Sequence, residues 1–162
     1  MEQVPSDFRE LLECFNSHGV EYLVVGAYAL AFHGAPRATG DIDLLVRPGL
    51  ANASRVLAAL DGFGFRSLGV DPQELASPAK LLQLGVPPVR ADILTSLTGV
   101  SWESAWDTRE QGAIAGVPVH FIGRDAYIAN KRACGRLKDL ADVEALGAPP
   151  KPSRPAKRRR RG

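Results

Sequence analysis

Asp41 and Asp43 flank a single isoleucine in the run Gly40-Asp41-Ile42-Asp43-Leu44-Leu45-Val46. Side chains alternate faces along a strand, so both carboxylates project from one side and Ile42 from the other. Two negative charges held so close repel, and a fold keeps them together only with a compensating cation. The natural choice is hard and divalent, because magnesium takes oxygen ligands and usually binds substrate phosphate too. Upstream, an apolar stretch at residues 21–25 ends in Gly26-Ala27 and runs into a helical pattern. A glycine turn that opens a helix offers backbone N–H groups to an anion. A phosphate cradle beside a metal-binding carboxylate pair outlines a phosphoryl- or nucleotidyl-transfer site.

A third acid strengthens the outline. Two ions ~3.5–4 Å apart cannot share only two carboxylates, and Val89-Arg90-Ala91-Asp92-Ile93-Leu94 supplies another on a second apolar stretch. Burying an unpaired charge there gains the fold nothing. The structural alternative is that Asp92 pairs with Arg90, which shares its strand face.

This arrangement resembles the nucleotidyltransferase superfamily that includes DNA polymerase beta. Its signature is an apolar residue, Gly, then Gly or Ser, a spacer, and Asp-apolar-Asp/Glu-apolar. Here Val25-Gly26-Ala27 precedes residues 28–40 and then Asp41-Ile42-Asp43-Leu44. Ala27 replaces the usual Gly or Ser, so a hydroxyl contact to phosphate is missing while the backbone N–H remains. Farther on, the run from Ile128 to Asp142 (IANKRACGRLKDLAD) is similar to the closing motif of the AbiEii-like branch. In that branch an apolar helix carries a lysine, followed by Arg-x-Lys-Asp-x-x-Asp. With Arg37-x-Thr39-x-Asp41-x-Asp43 and the segment Ala91-Asp92-Ile93-Leu94-Thr95-Ser96, the likeness spans about residues 20–146.

The resemblance implies an α+β fold: a mixed β-sheet nucleotidyltransferase palm flanked by helices, with C-terminal helices packed on it. It implies an enzyme using Mg2+ or Mn2+ to move a nucleoside monophosphate from a nucleoside triphosphate to an RNA, such as a tRNA end, or to a protein. Asp41, Asp43 and Asp92 would be the catalytic metal ligands. Gly26, Ala27, Arg37, Thr39, Lys131 and Lys138 would hold the nucleotide, with Asp139 and Asp142 in support. A toxin–antitoxin role, with a cognate antitoxin or other partner protein, is also implied. Two further readings stay open: a non-catalytic nucleotide- or metal-binding regulator, and a nucleic-acid-binding protein acting through a basic tail.

The residues carry their own logic beside the family. Lysine is a compact point charge suited to phosphate. Lys131 and Lys138 lie seven apart, so they share a helix face provided Gly135 does not turn the chain sharply. Lys138, Asp139 and Asp142 read equally well as a solvated helix face. The guanidinium of Arg37 and hydroxyl of Thr39 are placed to grip phosphate oxygens, or to cap their loop. His33 reads as a packed or capping histidine, and Trp102 and Trp106 as core or lid packing. The three histidines show no metal-ligand spacing.

The elements that must position these groups follow from periodicity. Residues 6–17 read as a helix capped by Ser6, with Phe8, Leu11, Leu12 and Phe15 inward. Strand 21–25, helix 27–33 and strand 41–46 come next. A helix follows at 50–61, burying Leu50, Val56, Leu57 and Leu60. Residues 63–68 are expected as a short strand and 71–78 as a helical or irregular crossover. Strands are expected at 81–84 and 89–94, then a short helix carrying Trp102 and Trp106. Segments 109–113 and 117–122 form a hairpin through Ala115-Gly116, and helices cover 124–133 and 136–146.

The chain's 162 residues suit one domain, read as 1–147. Its hydrophobic fraction of 45% is that of an ordinary globular protein. No apolar run approaches the ~18 residues of a membrane span, and Cys14 and Cys134 form no CxxC pair. A cytoplasmic protein is the expectation. The net charge of +2 conceals a division. Residues 151–162 hold seven basic side chains and no acid, which leaves the rest of the chain acidic. Residues 148–162, rich in proline and arginine, are expected to be a disordered basic tail able to contact nucleic acid.

Overall fold

The structure is a computed structural model that describes residues 4–37, 39–64, 69–86 and 89–148. The tail call and most of the expected strand at 63–68 fall outside the described residues. Along the chain run α1 (Ser6–Ser17), β1 (Tyr22–Val25), α2 (Gly26–Phe32), β2 (Asp41–Val46), α3 (Leu50–Phe63) and α4 (Pro72–Ala76). They are followed by β3 (Leu81–Val86), β4 (Val89–Leu94), α5 (Trp102–Asp107), β5 (Glu110–Ile114), β6 (Val117–Phe121), α6 (Arg124–Cys134) and α7 (Leu137–Ala145).

Six strands make one sheet in the order β3-β4-β2-β1-β6-β5, with helices on both sides. β2 runs parallel to β4 and β1 parallel to β6, while the other neighbours are antiparallel. This is the mixed α+β architecture expected. The central strands are the most apolar: Leu23, Val24, Ile42, Leu44, Val46 and Ile93 are fully buried. Helix α1 turns Phe8, Leu11, Leu12 and Phe15 inward at helical spacing.

Two local expectations need correction. Ser6 is the first helical residue of α1; Pro5 precedes it as the cap, and no side chain caps the helix. Leu50 is 55% exposed and Leu57 only partly buried. The inward position in the first turn of α3 belongs instead to Asn52. Its amide accepts from Glu21 N at 2.8 Å and donates to Glu21 O at 3.0 Å and Arg47 O at 2.9 Å. Those bonds satisfy backbone groups at the ends of β1 and β2, a task no leucine can perform.

The remaining aromatic and histidine readings hold. His33 Nε2 lies 2.7 Å from Ile122 O, and Nδ1 3.4 Å from Glu110. Trp102 and Trp106 stack with centroids 5.2 Å apart, Trp102 buried in the core. Between β5 and β6, Ala115 (φ 49°) and Gly116 (φ 81°) make the left-handed two-residue turn that matches strand twist.

Candidate active site

Parallel pairing of β2 with β4 places Asp41 opposite Arg90 and Asp43 opposite Asp92. Three carboxylates and one guanidinium therefore share one face at the carboxyl-side mouth of β1. On the other flank of β2, Val25 pairs with Asp43, and the chain turns at Gly26 into α2. Gly26 adopts φ 65°, and a Cβ there would collide with the Asp43 carboxylate. Only glycine permits this approach of backbone to carboxylate.

The electrostatics show a cluster that is only partly compensated. Burial, then the charges of Asp92 and Asp41, push the Asp43 pKa up to about 6, with Lys131 pulling the other way. Arg90 gives partial relief: its Nη2 lies 3.2 Å from Asp41 Oδ2 and its Nε 3.0 Å from Asp92 Oδ1. Nη2 also donates to Asp92 Oδ2 at 3.4 Å, but the Nε contact is misaligned, so Arg90 Nε and Asp92 Oδ1 are both buried without a hydrogen bond. The structural alternative for Asp92 is thus realised, imperfectly. Among the described residues no three His, Cys, Asp or Glu side chains form a ready-made metal cage. An in-register Asp43–Asp92 pair with an orphaned, buried carboxylate oxygen still suits a hard divalent ion, provided Arg90 gives way.

Helices α6 and α7 form the opposite wall. Gly135, at φ 70°, ends α6 and starts the chain on a new course. Lys131 and Lys138 consequently lie on separate helices rather than on one shared face, yet both line the same cleft. Behind them Asp139 is fully buried, so for this residue the solvated-face reading fails. It accepts from Arg136 Nε at 2.7 Å and lies 3.5 Å from Lys131 Nζ. It also accepts from the Arg136 backbone, closing a capping box at the start of α7. Burial pushes its pKa up, but the Arg136 hydrogen bond and the charges of Lys131 and Arg136 outweigh that and hold it below the usual carboxylate value. Asp142, also buried, sits 3.4 Å from Arg37 Nη1. The Thr39 hydroxyl accepts from Asp41 N at 3.1 Å and donates to Asp41 O at 3.2 Å, which fastens the loop to the start of β2.

Gly26, Ala27, Arg37, Thr39, Asp41, Asp43, Asp92, Lys131 and Lys138 all line one cleft of about 390 Å³. Asp139 and Asp142 stand behind it and orient its cations. Sequence reasoning gave no site role to Asn130, Ser96, Thr98 or Cys134, which line it too. Asn130 donates to Thr98 O at 2.9 Å and so ties α6 to the loop after β4. No periodicity or motif signals that bond. Arg136 was visible as part of the Arg-x-Lys-Asp pattern.

No protein-family model and no curated protein matches the chain. Solved structures share its fold. The antibiotic-resistance factor ANT(2'')-Ia superimposes with a TM-score of 0.58 at 15% identity, covering 87% of this chain and 80% of that one. The lincosamide antibiotic adenylyltransferase LnuA, lincomycin-bound, gives 0.56 at 12% identity over 91% and 98%. A nucleotidyltransferase-like protein from Paracoccidioides brasiliensis gives 0.51 at 16% identity over 84% and 70%. At such identities the likeness establishes a common nucleotidyltransferase-type fold.

Proposed function

We propose that this chain is a divalent-metal-dependent nucleotidyltransferase that moves a nucleoside monophosphate from a nucleoside triphosphate to an acceptor hydroxyl. One observation carries the reading: Asp43 and Asp92 lie in register on adjacent parallel strands, Asp43 pressed against the Gly26 turn, and both line one cleft with Lys131. Asp41, Asp43 and Asp92 would hold Mg2+ or Mn2+, whose bound charge would offset that developing on the phosphate and the departing pyrophosphate. The backbone at Gly26 and Ala27 would receive phosphate oxygens, as would Arg37 and Lys131, kept in place by Asp142 and Asp139. Lys138 adds charge at the rim. Buried Asp92 would orient the acceptor hydroxyl and draw on its proton.

The charge of the cleft favours one acceptor class. ANT(2'')-Ia has been seen in complex with adenylyl-2''-tobramycin. Among the described residues, the cleft here offers no carboxylates beyond the catalytic three, and it lines its far wall with Lys131, Arg136 and Lys138. A polycationic acceptor would be repelled, whereas RNA would be drawn in. The basic residues 151–162 would add phosphate contacts. A protein hydroxyl remains the second acceptor class, and a toxin held by a cognate partner is the setting suggested by the AbiEii-like motif.

Incubation with α-labelled triphosphates, Mg2+ and total RNA or lysate tests this. Label should pass to RNA, and the Asp41→Asn/Asp43→Asn double variant should abolish it; transfer that survives removes both residues from the mechanism. The rival, a non-catalytic nucleotide-binding regulator, is favoured by Ala27 and by the Arg90 ion pairs. Tight triphosphate binding by calorimetry, with no transfer to any acceptor pool, would select it.

A further inference from the structure

The carboxylate face already holds a cation of its own. We infer that Arg90 is the resident counter-ion of the Asp41–Asp43–Asp92 cluster, that it competes with the divalent ion for the same oxygens, and that it thereby couples metal entry to arrival of an anionic substrate. This deepens the nucleotidyltransferase reading and rests on it.

The register makes the competition unavoidable. Arg90 sits opposite Asp41 and two residues from Asp92 on one strand face, so its guanidinium projects between the two acids. It reaches both, at 3.2 Å and 3.0 Å. The bridge is hydrogen-bonded, but it is shared between two acids. Arg90 Nη2 divides its donation between Asp41 Oδ2 at 3.2 Å and Asp92 Oδ2 at 3.4 Å, while Nε and Asp92 Oδ1, 3.0 Å apart, are both buried without a hydrogen bond, short of the two parallel N–H···O bonds of a full arginine–carboxylate fork.

Such a bridge compensates charge while leaving one buried donor and one buried acceptor without a hydrogen bond. Arginine cannot shed its proton to make room, and a divalent ion placed among these oxygens would meet its full positive charge. The side chain retains 28% exposure, so it can swing into the cleft. An anion there, such as a substrate phosphate, gives the guanidinium another partner, and the vacated oxygens then bind metal. By linkage, each event favours the other.

The test measures Mn2+ binding to the full chain by calorimetry, without nucleotide, in wild type, Arg90→Gln, Arg90→Lys and Asp41→Asn/Asp43→Asn. Circular dichroism confirms that each variant is folded. Arg90→Gln should bind Mn2+ at least about tenfold more tightly than wild type. Arg90→Lys, which keeps the charge, should stay near wild type, and the double variant should lose binding. Adding a non-hydrolysable triphosphate should tighten Mn2+ binding far more in wild type than in Arg90→Gln. Equal or weaker binding by Arg90→Gln, in a protein whose wild type binds Mn2+, overturns the inference and makes Arg90 a prop for the acids. If neither binds Mn2+ at millimolar concentrations even with triphosphate, the metal-site reading falls with it.

Discussion

The two faces of β2 obey opposite rules. Ile42, Leu44 and Val46 point one way and are fully buried in a dry core. Asp41 and Asp43 point the other way, into a cleft where like charges crowd and one carboxylate oxygen of Asp92 finds no donor. One face is arranged for stability. The other holds a crowded carboxylate cluster that Arg90 compensates in part, the local cost that a functional reading of this face accounts for. Substitutions on the two faces should therefore separate stability from activity.

The largest contrast is expected at Asp43. Asp43→Asn should lower nucleotidyl transfer by roughly 10³-fold, the scale for losing an electrostatic stabiliser of a transition state. It should leave the thermal midpoint unchanged or higher, because a repelling charge is gone. Ile42→Ala, one residue away, should do the reverse. It should cost about 2–4 kcal/mol in urea denaturation, while the folded fraction keeps its turnover. A midpoint drop in Asp43→Asn as large as that of Ile42→Ala would erase the distinction.

Asp139 tests whether the cleft's opposite wall behaves as a hybrid. Asp139→Asn keeps the side-chain shape but weakens the hold on Lys131 and Arg136. It should raise KM for the triphosphate about tenfold with a smaller change in kcat, and cost about 1–3 kcal/mol of stability. A kcat loss at constant KM would place Asp139 in the chemistry rather than behind the cations.

The smallest effect sharpens the electrostatic side. Without metal, the Asp43 pKa is raised in the folded protein to about 6 from 3.8. The folded state then holds a proton that the unfolded state has released. Stability should fall as pH rises between those values, by up to about 2 kcal/mol after screening. The difference in thermal midpoint between wild type and Asp43→Asn, followed from pH 4 to 7 in chelator, should widen with pH. Mn2+ should close it, since the ion favours the ionised acid.

Most of the architecture was legible because hydropathy reports it directly. β2 and β4 were bracketed by apolar runs, and α1 by four inward residues at helical spacing. What escaped detection depended on partners distant in the chain. Asn52 displaced Leu50 from the inward position because backbone groups of Glu21 and Arg47 needed bonding. Asp139 looked like a surface acid because Lys138 and Asp142 beside it suggest a solvated turn. It is fully buried, and the Arg136 hydrogen bonds together with Lys131, on the preceding helix, make that tolerable. Gly135 was read as a possible break, and its turn is what sets Lys131 and Lys138 on different helices facing one cleft. The bridge from Arg90 to Asp41 needed the β2–β4 register, which no local pattern specifies. The candidate acids announced themselves by breaking the apolar rule of their strands; strand spacing paired Asp92 with Arg90, while the partners of Asp41, Asp139 and Asp142 could not be read.

A crystal soaked with Mn2+ and a non-hydrolysable triphosphate tests the central claim most directly. Anomalous scattering should locate an ion bounded by Asp43 and Asp92, phosphates against the Gly26 turn, and the Arg90 guanidinium withdrawn from Asp92. A bound triphosphate with no ion, and with Arg90 still bridging Asp41 and Asp92, would contradict the claim.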